Sequence, residues 1–208
     1  MPRTRYRCGP LPGSGRCRAA LCVIPVDPFS PPVRSIAVAQ LGDVPIILGA
    51  ASGKLRLWNL ATGRRLGGSL AGHSGGVDSV ALAKLDGHPI AISGGDDATV
   101  RVWDLARLST RTGRFLHRLR LVRHRPWTAS VHKDRVTAVG IGELHGQRVI
   151  ISGSDDRTIR LRPLRDGPVL TVELDAAVVA VALAGRNLLV AATSQGLVVL
   201  AIDMDLRS

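Results

Sequence analysis

From Val33 onward, apolar and polar positions alternate in short runs separated by turn residues. The runs are IAVAQL, PIILGA, KLRLWNL, VDSVALAKL, PIAISG, TVRVWDL, RVTAVGIGEL, RVIISG, TIRLRPL, PVLTVEL, VVAVALA, NLLVAAT and GLVVLAI. Between them stand Gly42-Asp43, Asp86-Gly87, Gly95-Asp96-Asp97, His145-Gly146, Asp166-Gly167 and Gly185-Arg186-Asn187. A period of two in runs rich in Val, Ile and Thr predicts half-buried strands, and turns this frequent predict hairpins. No stretch carries the period of an amphipathic helix. The pattern predicts an all-β protein.

Residues 1–32 break the pattern. They are rich in Arg, Pro and Gly, without lasting periodicity, and are expected to be a disordered or poorly packed lead-in. Cys8, Cys17 and Cys22 all lie here. An odd count without His or Cys at ligand spacing supports neither a disulfide framework nor a zinc site, and free thiols point to the cytoplasm. The apolar stretch Ala19–Val26 is short and holds Pro25, which argues against a secretory signal. No apolar run is long enough to span a bilayer.

Composition adds little direction. The 208 residues are 45% apolar, enough for a core. Aromatics at 3% argue against a base-stacking nucleic-acid binder. The net charge is +12, and of the 28 basic residues only Lys54, Lys84 and Lys133 are lysine. Such an Arg bias fits a GC-rich, bacterial type of coding sequence, so the charge implies an acidic partner only weakly.

The decisive feature is an internal repeat. His73–Leu105 overlies His132–Leu164 without a gap, at an offset of 59, and 13 of the 33 positions are identical. The matches include His73/His132, Val77/Val136, Val80/Val139, Ser93/Ser152, Asp97/Asp156 and Arg101/Arg160. A further copy begins at Val33 and ends at Trp58-Asn59. A worn copy, VVAVALAGRNLLVAATSQGLVVLAI, keeps the three-strand rhythm and has Leu200 where Trp103 stands.

These residues resemble the WD40 repeat, most fully through Gly72-His73, Ser93-Gly94-Gly95-Asp96-Asp97 and Val100-Arg101-Val102-Trp103-Asp104. The resemblance covers about Val33 to Asp203. It implies a partial β-propeller of about four four-stranded antiparallel blades within 33–208, at about 33–70, 71–121, 131–174 and 175–204. It also implies a hydrogen-bonded tetrad of His73, Ser93, Asp97 and Trp103 inside the second blade. A partial set, His132, Ser152 and Asp156, is implied in the third, where Arg162 replaces the Trp. Because family members usually close a ring of more blades, a fragment or an incomplete arc is expected, with self-association as a possible completion.

His73, Ser93 and Asp97 also have the residue types of a hydrolase triad. Ser93 lies in an apolar strand, however, and the trio recurs one repeat later, which favours a structural role. Asp96-Asp97 and Asp155-Asp156 are adjacent turn residues that point apart, a poor start for a metal site. Gly94-Gly95 lacks the Lys-Ser/Thr ending of a phosphate loop. No cofactor or metal is expected.

Between the second and third copies, residues 107–125 carry seven arginines and no acid: Arg107, Arg111, Arg114, Arg118, Arg120, Arg123 and Arg125. An outer strand is expected at about Phe115–Leu121, then a basic loop around Arg123–Ser130. The segment reads as a solvated strand and insertion or, alternatively, as a site for nucleic acid or another polyanion. Taken together, the chain is expected to be a non-catalytic scaffold binding a protein or peptide partner. Candidate contacts are Asp78, Lys133 and Arg135 beside the blade tops, with Arg114, Arg118, Arg123, Arg125 and Trp127 in the insertion.

Overall fold

A computed structural model describes residues 32–105, 127–165, 167–185 and 187–202. Among these residues every regular element is a strand. The first sheet holds β1 (Ser35–Leu41), β2 (Val44–Ala51), β3 (Lys54–Asn59) and β4 (Arg65–Ala71). The second holds β5 (Val77–Leu85), β6 (His88–Gly95), β7 (Thr99–Asp104) and β8 (Trp127–Val131). The third holds β9 (Val136–Leu144), β10 (Gln147–Ser154), β11 (Thr158–Pro163) and β12 (Leu170–Glu173). The fourth shows three described strands, β13 (Val178–Ala184), β14 (Leu188–Thr193) and β15 (Gly196–Ala201). All pairings are antiparallel between chain neighbours. This is the meander of a partial WD40-type propeller.

The turn chemistry explains the hairpins. Leu85 pairs with His88, so Asp86-Gly87 is a two-residue loop, with φ of 49° and 80°. Such a turn needs two positive φ values, which Asp and Gly supply and whose twist matches that of the strands. His145-Gly146 repeats it one sheet later, with φ of 49° and 79°.

The sheets stack face to face through their first strands, β1 beside β5, β5 beside β9, and β9 beside β13. Three apolar layers fill the joints. Leu48, Leu55, Leu57, Val80 and Trp103 join the first and second sheets. Ile92, Val102, Val136 and Val139 join the second and third. Ile151, Leu161, Val178 and Leu189 join the third and fourth. Each such side chain contributes about 1.5–3 kcal/mol by leaving water. Small residues let the sheets approach. A Cβ on Gly94 would lie 2.4 Å from Val136, and one on Gly153 would lie 2.4 Å from Val178.

One strand differs from expectation. Among the described residues the outer strand of the second sheet is β8, Trp127–Val131, while the expected Phe115–Leu121 falls outside the described residues. The register pairs Val102 with Trp127 and Thr99 with Val131, and Ala129 is fully buried. The repeat itself carried the cue. In the first copy the outer strand β4 ends at Ala71, just before Gly72-His73. The matching strand should therefore end just before His132, as β8 does.

Candidate functional site

Two constellations stand out, one inside the sheets and one at the mouth of the arc. The inner one gathers His73 before β5, Ser93 in β6, Asp97 in the β6–β7 hairpin and Trp103 in β7. The Trp103 indole N–H donates to Ser93 Oγ at 2.8 Å. His73 Nε2 lies 2.7 Å from that hydroxyl, and its Nδ1 lies 2.8 Å from Asp97 Oδ1. One proton arrangement satisfies every group. Trp103 donates to Ser93, Ser93 O–H donates to Nε2, and Nδ1–H donates to the carboxylate. Asp97 also accepts from the N–H groups of Ser74 and Thr99 and from the Thr99 hydroxyl. Burial opposes the charge on Asp97, but the bonds from His73, Thr99 and Ser74 outweigh it and hold its pKa down at about 2. Burial lowers the pKa of His73 by more than Asp97 raises it, which keeps the ring neutral.

The third sheet holds a three-membered version. His132 Nε2 is 2.8 Å from Ser152 Oγ, and Nδ1 is 3.1 Å from Asp156 Oδ2. Asp156 is likewise held at about 2: burial raises its pKa, and bonds from Thr158 and the Lys133 N–H more than reverse that. Arg162, at the Trp position, turns away from Ser152. Its guanidinium lies 5.4 Å over the Trp127 ring and donates to the Ala129 carbonyl of β8. In the first sheet the register places Gly49 at the Ser93 position, and Trp58 fills the space above it.

Ser93 and Ser152 are 0% and 1% exposed. The O–H···N and N–H···O chain resembles a triad in connectivity, but a nucleophile needs access to substrate, which these hydroxyls lack.

The mouth is built by a repeated backbone device. The register slips between Val77 and Ser79, between Ser154 and Gly153, and between Val178 and Ala180. Each slip is a bulge with one extra residue: Asp78, Thr137 and Val179. A bulge re-aims a side chain out of the alternation. All three line one recess of about 450 Å³, together with Arg34, Arg135 and Asp155. Asp78 is clamped across sheets. Arg34 Nη1 donates to Oδ1 at 2.5 Å, while Arg135 donates through Nη2 to Oδ1 at 2.8 Å and through Nε to Oδ2 at 2.7 Å. Arg135 Nε also lies 3.2 Å from Asp96. Burial pushes the Asp78 pKa up, and the bonds from Arg135 and Arg34 bring it below the ordinary carboxylate value. The Asp78 side chain is 6% exposed, whereas those of Arg34 and Arg135 are 51% and 41% exposed. Their spare donors are therefore open to a ligand.

Of the contacts expected from sequence, Asp78 and Arg135 meet here. Lys133 is exposed, its backbone N–H bound to Asp156, but it does not line the recess. Trp127 sits in β8, 41% exposed, rather than in a loop. Arg114, Arg118, Arg123 and Arg125 lie outside the described residues. Sequence reasoning missed Arg34, Thr137, Asp155 and Val179. The signal was available, because Arg34, Asp78, Thr137 and Val179 each follow the first Val of a copy. A second recess, of about 700 Å³, opens between the β5–β6 and β9–β10 turns, where Arg165 donates to Asp86 at 2.5 Å. Among the described residues, no group of three His, Cys, Asp or Glu side chains could hold a metal ion. Among the same residues no helix is long and apolar enough to cross a membrane.

Known proteins carry the same features. The family described as WD domain, G-beta repeat matches residues 64–104 and 126–162. A CCR4-associated factor 4 homolog of Candida glabrata is 32% identical over 65% of this chain and 21% of its own. The pre-mRNA-splicing factor PRP46 of Candida albicans is 31% identical over 39% of this chain and 20% of its own. Protein ROOT INITIATION DEFECTIVE 3 of Arabidopsis thaliana is 30% identical over 67% of this chain and 30% of its own. The chain thus spans between a fifth and a third of the length of these curated relatives. All three are eukaryotic, which gives the expectation of a bacterial type no support. Two matched repeats, four stacked meander sheets and the His–Ser–Asp–Trp geometry converge on one conclusion: the chain belongs to the WD40-repeat family.

Proposed function

We propose that this chain is a non-catalytic interaction module that binds a protein or peptide partner at the mouth of its blades. The observation that carries this reading is the clamped Asp78. Three consecutive blades each spend a bulge on one recess, and two half-exposed arginines from different blades are fixed there by a buried carboxylate. Fixed donors lose little freedom on binding, so they favour affinity. The recess is shallow and polar, suited to a peptide backbone or a charged side chain.

In this reading His73, Ser93, Asp97 and Trp103 are the internal frame of the second blade, and His132, Ser152 and Asp156 that of the third. Residues 33–208 form the propeller part, and 1–32 a lead-in. Polyanion binding through residues 107–125 is the other reading, and it rests on charge alone. The names of the relatives speak of a CCR4-associated factor and of pre-mRNA splicing, which suits a partner-binding role for the repeats.

The test is a random-peptide selection against the full chain. Enriched peptides should lose binding to Asp155→Arg, which reverses a charge on the recess rim, and should keep it with Asp43→Lys, in the far turn. No enrichment, or binders indifferent to Asp155→Arg, would overturn the proposal.

A further inference from the structure

The joints between sheets follow one rule, and the two outermost faces carry its unmatched halves. In each joint, two apolar residues of an inner strand press on the sheet before it. They are Val80 and Leu82 in β5, Val139 and Ile141 in β9, and Val181 and Leu183 in β13. Their seats are small. A Cβ on Gly94 would lie 2.9 Å from Val139, and one on Gly142 would lie 2.5 Å from Leu183. By register, the same positions of β1 are Ile36 and Val38. These are 64% and 57% exposed, far above a core position.

The far face of the fourth sheet is the complementary half. Ala180 and Ala182 on β13 face Ala192 and Val190 on β14, which face Leu197 and Val199 on β15. Every side chain on this face is Ala, Val or Leu. Leu197 is 78% exposed and Val199 62%. In the third sheet the corresponding positions include Ile151, Ile159 and Leu161, all 0% exposed because the fourth sheet covers them. An apolar sheet face this uniform is a liability unless something docks on it.

We propose that the occupant is a second copy of this chain. The first-sheet face of one copy, with Ile36 and Val38, seats on the fourth-sheet face of the other, head to tail. The reciprocal contact closes the eight described sheets of the pair into one ring. The free face continues the pattern that accepts an inner strand at the internal joints, and β1 presents the pattern that fills it. A head-to-tail contact is heterologous and must close to avoid open filaments, and eight sheets lie within the usual size of a propeller ring. Ala192 stands where the second and third sheets have Gly94 and Gly153, and where the first sheet has Ala50, buried in its joint with the second, so an alanine at this position is compatible with a closed joint. The inference does not depend on the recess or on what binds there.

The test is light scattering on the full chain, with Ile36→Lys and Leu197→Glu as variants. Both residues are exposed in the single chain, so either variant should fold, and circular dichroism checks that it does. The native chain should run at twice its own mass and each variant at its own mass. An equimolar mixture of the two variants should return to twice the mass, because the mixed pair holds one Lys–Glu joint and one native joint. A native chain at its own mass, a pair indifferent to Ile36→Lys, or a ladder of masses growing with concentration would each overturn the proposal. A fourth sheet pairing with another fourth sheet would show as sensitivity to Leu197→Glu alone.

Discussion

Trp103 and Ser93 meet at 2.8 Å, the indole N–H donating to a hydroxyl that lies completely out of water. That bond ties β7 to β6 and places the largest fully buried side chain of the second sheet against the first. It also fixes the proton order of the tetrad, since a hydroxyl that accepts from Trp103 is left to donate to His73.

Removing the ring or the hydroxyl should therefore be costly by different routes. Trp103→Ala should lower stability by about 3–5 kcal/mol, the usual cost of emptying a buried aromatic site. Ser93→Ala should cost about 1–3 kcal/mol, because it strands the indole N–H and the His73 Nε2 without partners. The midpoint of denaturant unfolding measures both. A neutral Trp103→Ala would contradict the structural role of the tetrad.

The acid limb of stability should show two stages. His73 and His132 have folded pKa values below the ordinary 6.5, since burial disfavours their charged form. A depressed folded pKa gives stability that is complete above the unfolded value and is lost as pH falls, so melting temperature should be level above about pH 6.5 and decline below it. Asp97 and Asp156 follow the same sign. Their pKa values fall from 3.8 to about 2 on folding, so their contribution holds above 3.8 and disappears between there and about 2. Melting temperature against pH checks this, and Asp97→Asn should flatten the lower stage. A curve rising from pH 7 to pH 5 would contradict it.

Sheet spacing sets the tolerance of the glycines. Gly153→Ala should destabilise by about 1–3 kcal/mol, since its methyl would press on Val178 and Val181. Gly68→Ala, where an added Cβ meets nothing within 4 Å, should stay within about 0.5 kcal/mol. Thermal melts of the two variants side by side distinguish them. Equal effects would mean that the sheets are not in close contact at Gly153.

Arg162 should act as a staple between the second and third sheets. Its guanidinium covers the Trp127 ring and binds the Ala129 carbonyl, two contacts on the edge strand β8. Trp127 is 41% exposed, while Trp58 and Trp103 are 8% and 1% exposed, so quenching by a soluble agent reports mainly on Trp127. Arg162→Ala should raise that quenching with a small change in melting temperature. Unchanged quenching would place the guanidinium elsewhere.

Much of this architecture is legible in the chain because its causes are local. Alternation shows the strands, and Asp86-Gly87 and His145-Gly146 show the two-residue turns. The gapless match of His73–Leu105 to His132–Leu164 shows which sheets are equivalent. The four tetrad residues could be named because they sit at fixed places in a repeat. What was not legible depends on register. The bulges that turn Asp78, Thr137 and Val179 into one recess are two-against-one pairings, and alternation within a single strand does not reveal them. The position of β8 is legible through the repeat and not through composition. The arginine run points to residues 107–125, whereas β8 is the short, uncharged WTASV just before His132. The partnership of Arg34 with Asp78 spans two sheets; their shared place after the first Val of a copy marks the positions but not the pairing.

The most direct test of the account is a calorimetric titration of one selected peptide into the native chain, Asp155→Arg and Ser93→Ala, at a temperature where all three are folded. The account predicts that Asp155→Arg binds at least tenfold more weakly, while Ser93→Ala, less stable, binds as the native chain does. Native affinity in Asp155→Arg together with lost binding in folded Ser93→Ala would contradict it, and would move the working site from the mouth to the buried His73–Ser93–Asp97 group.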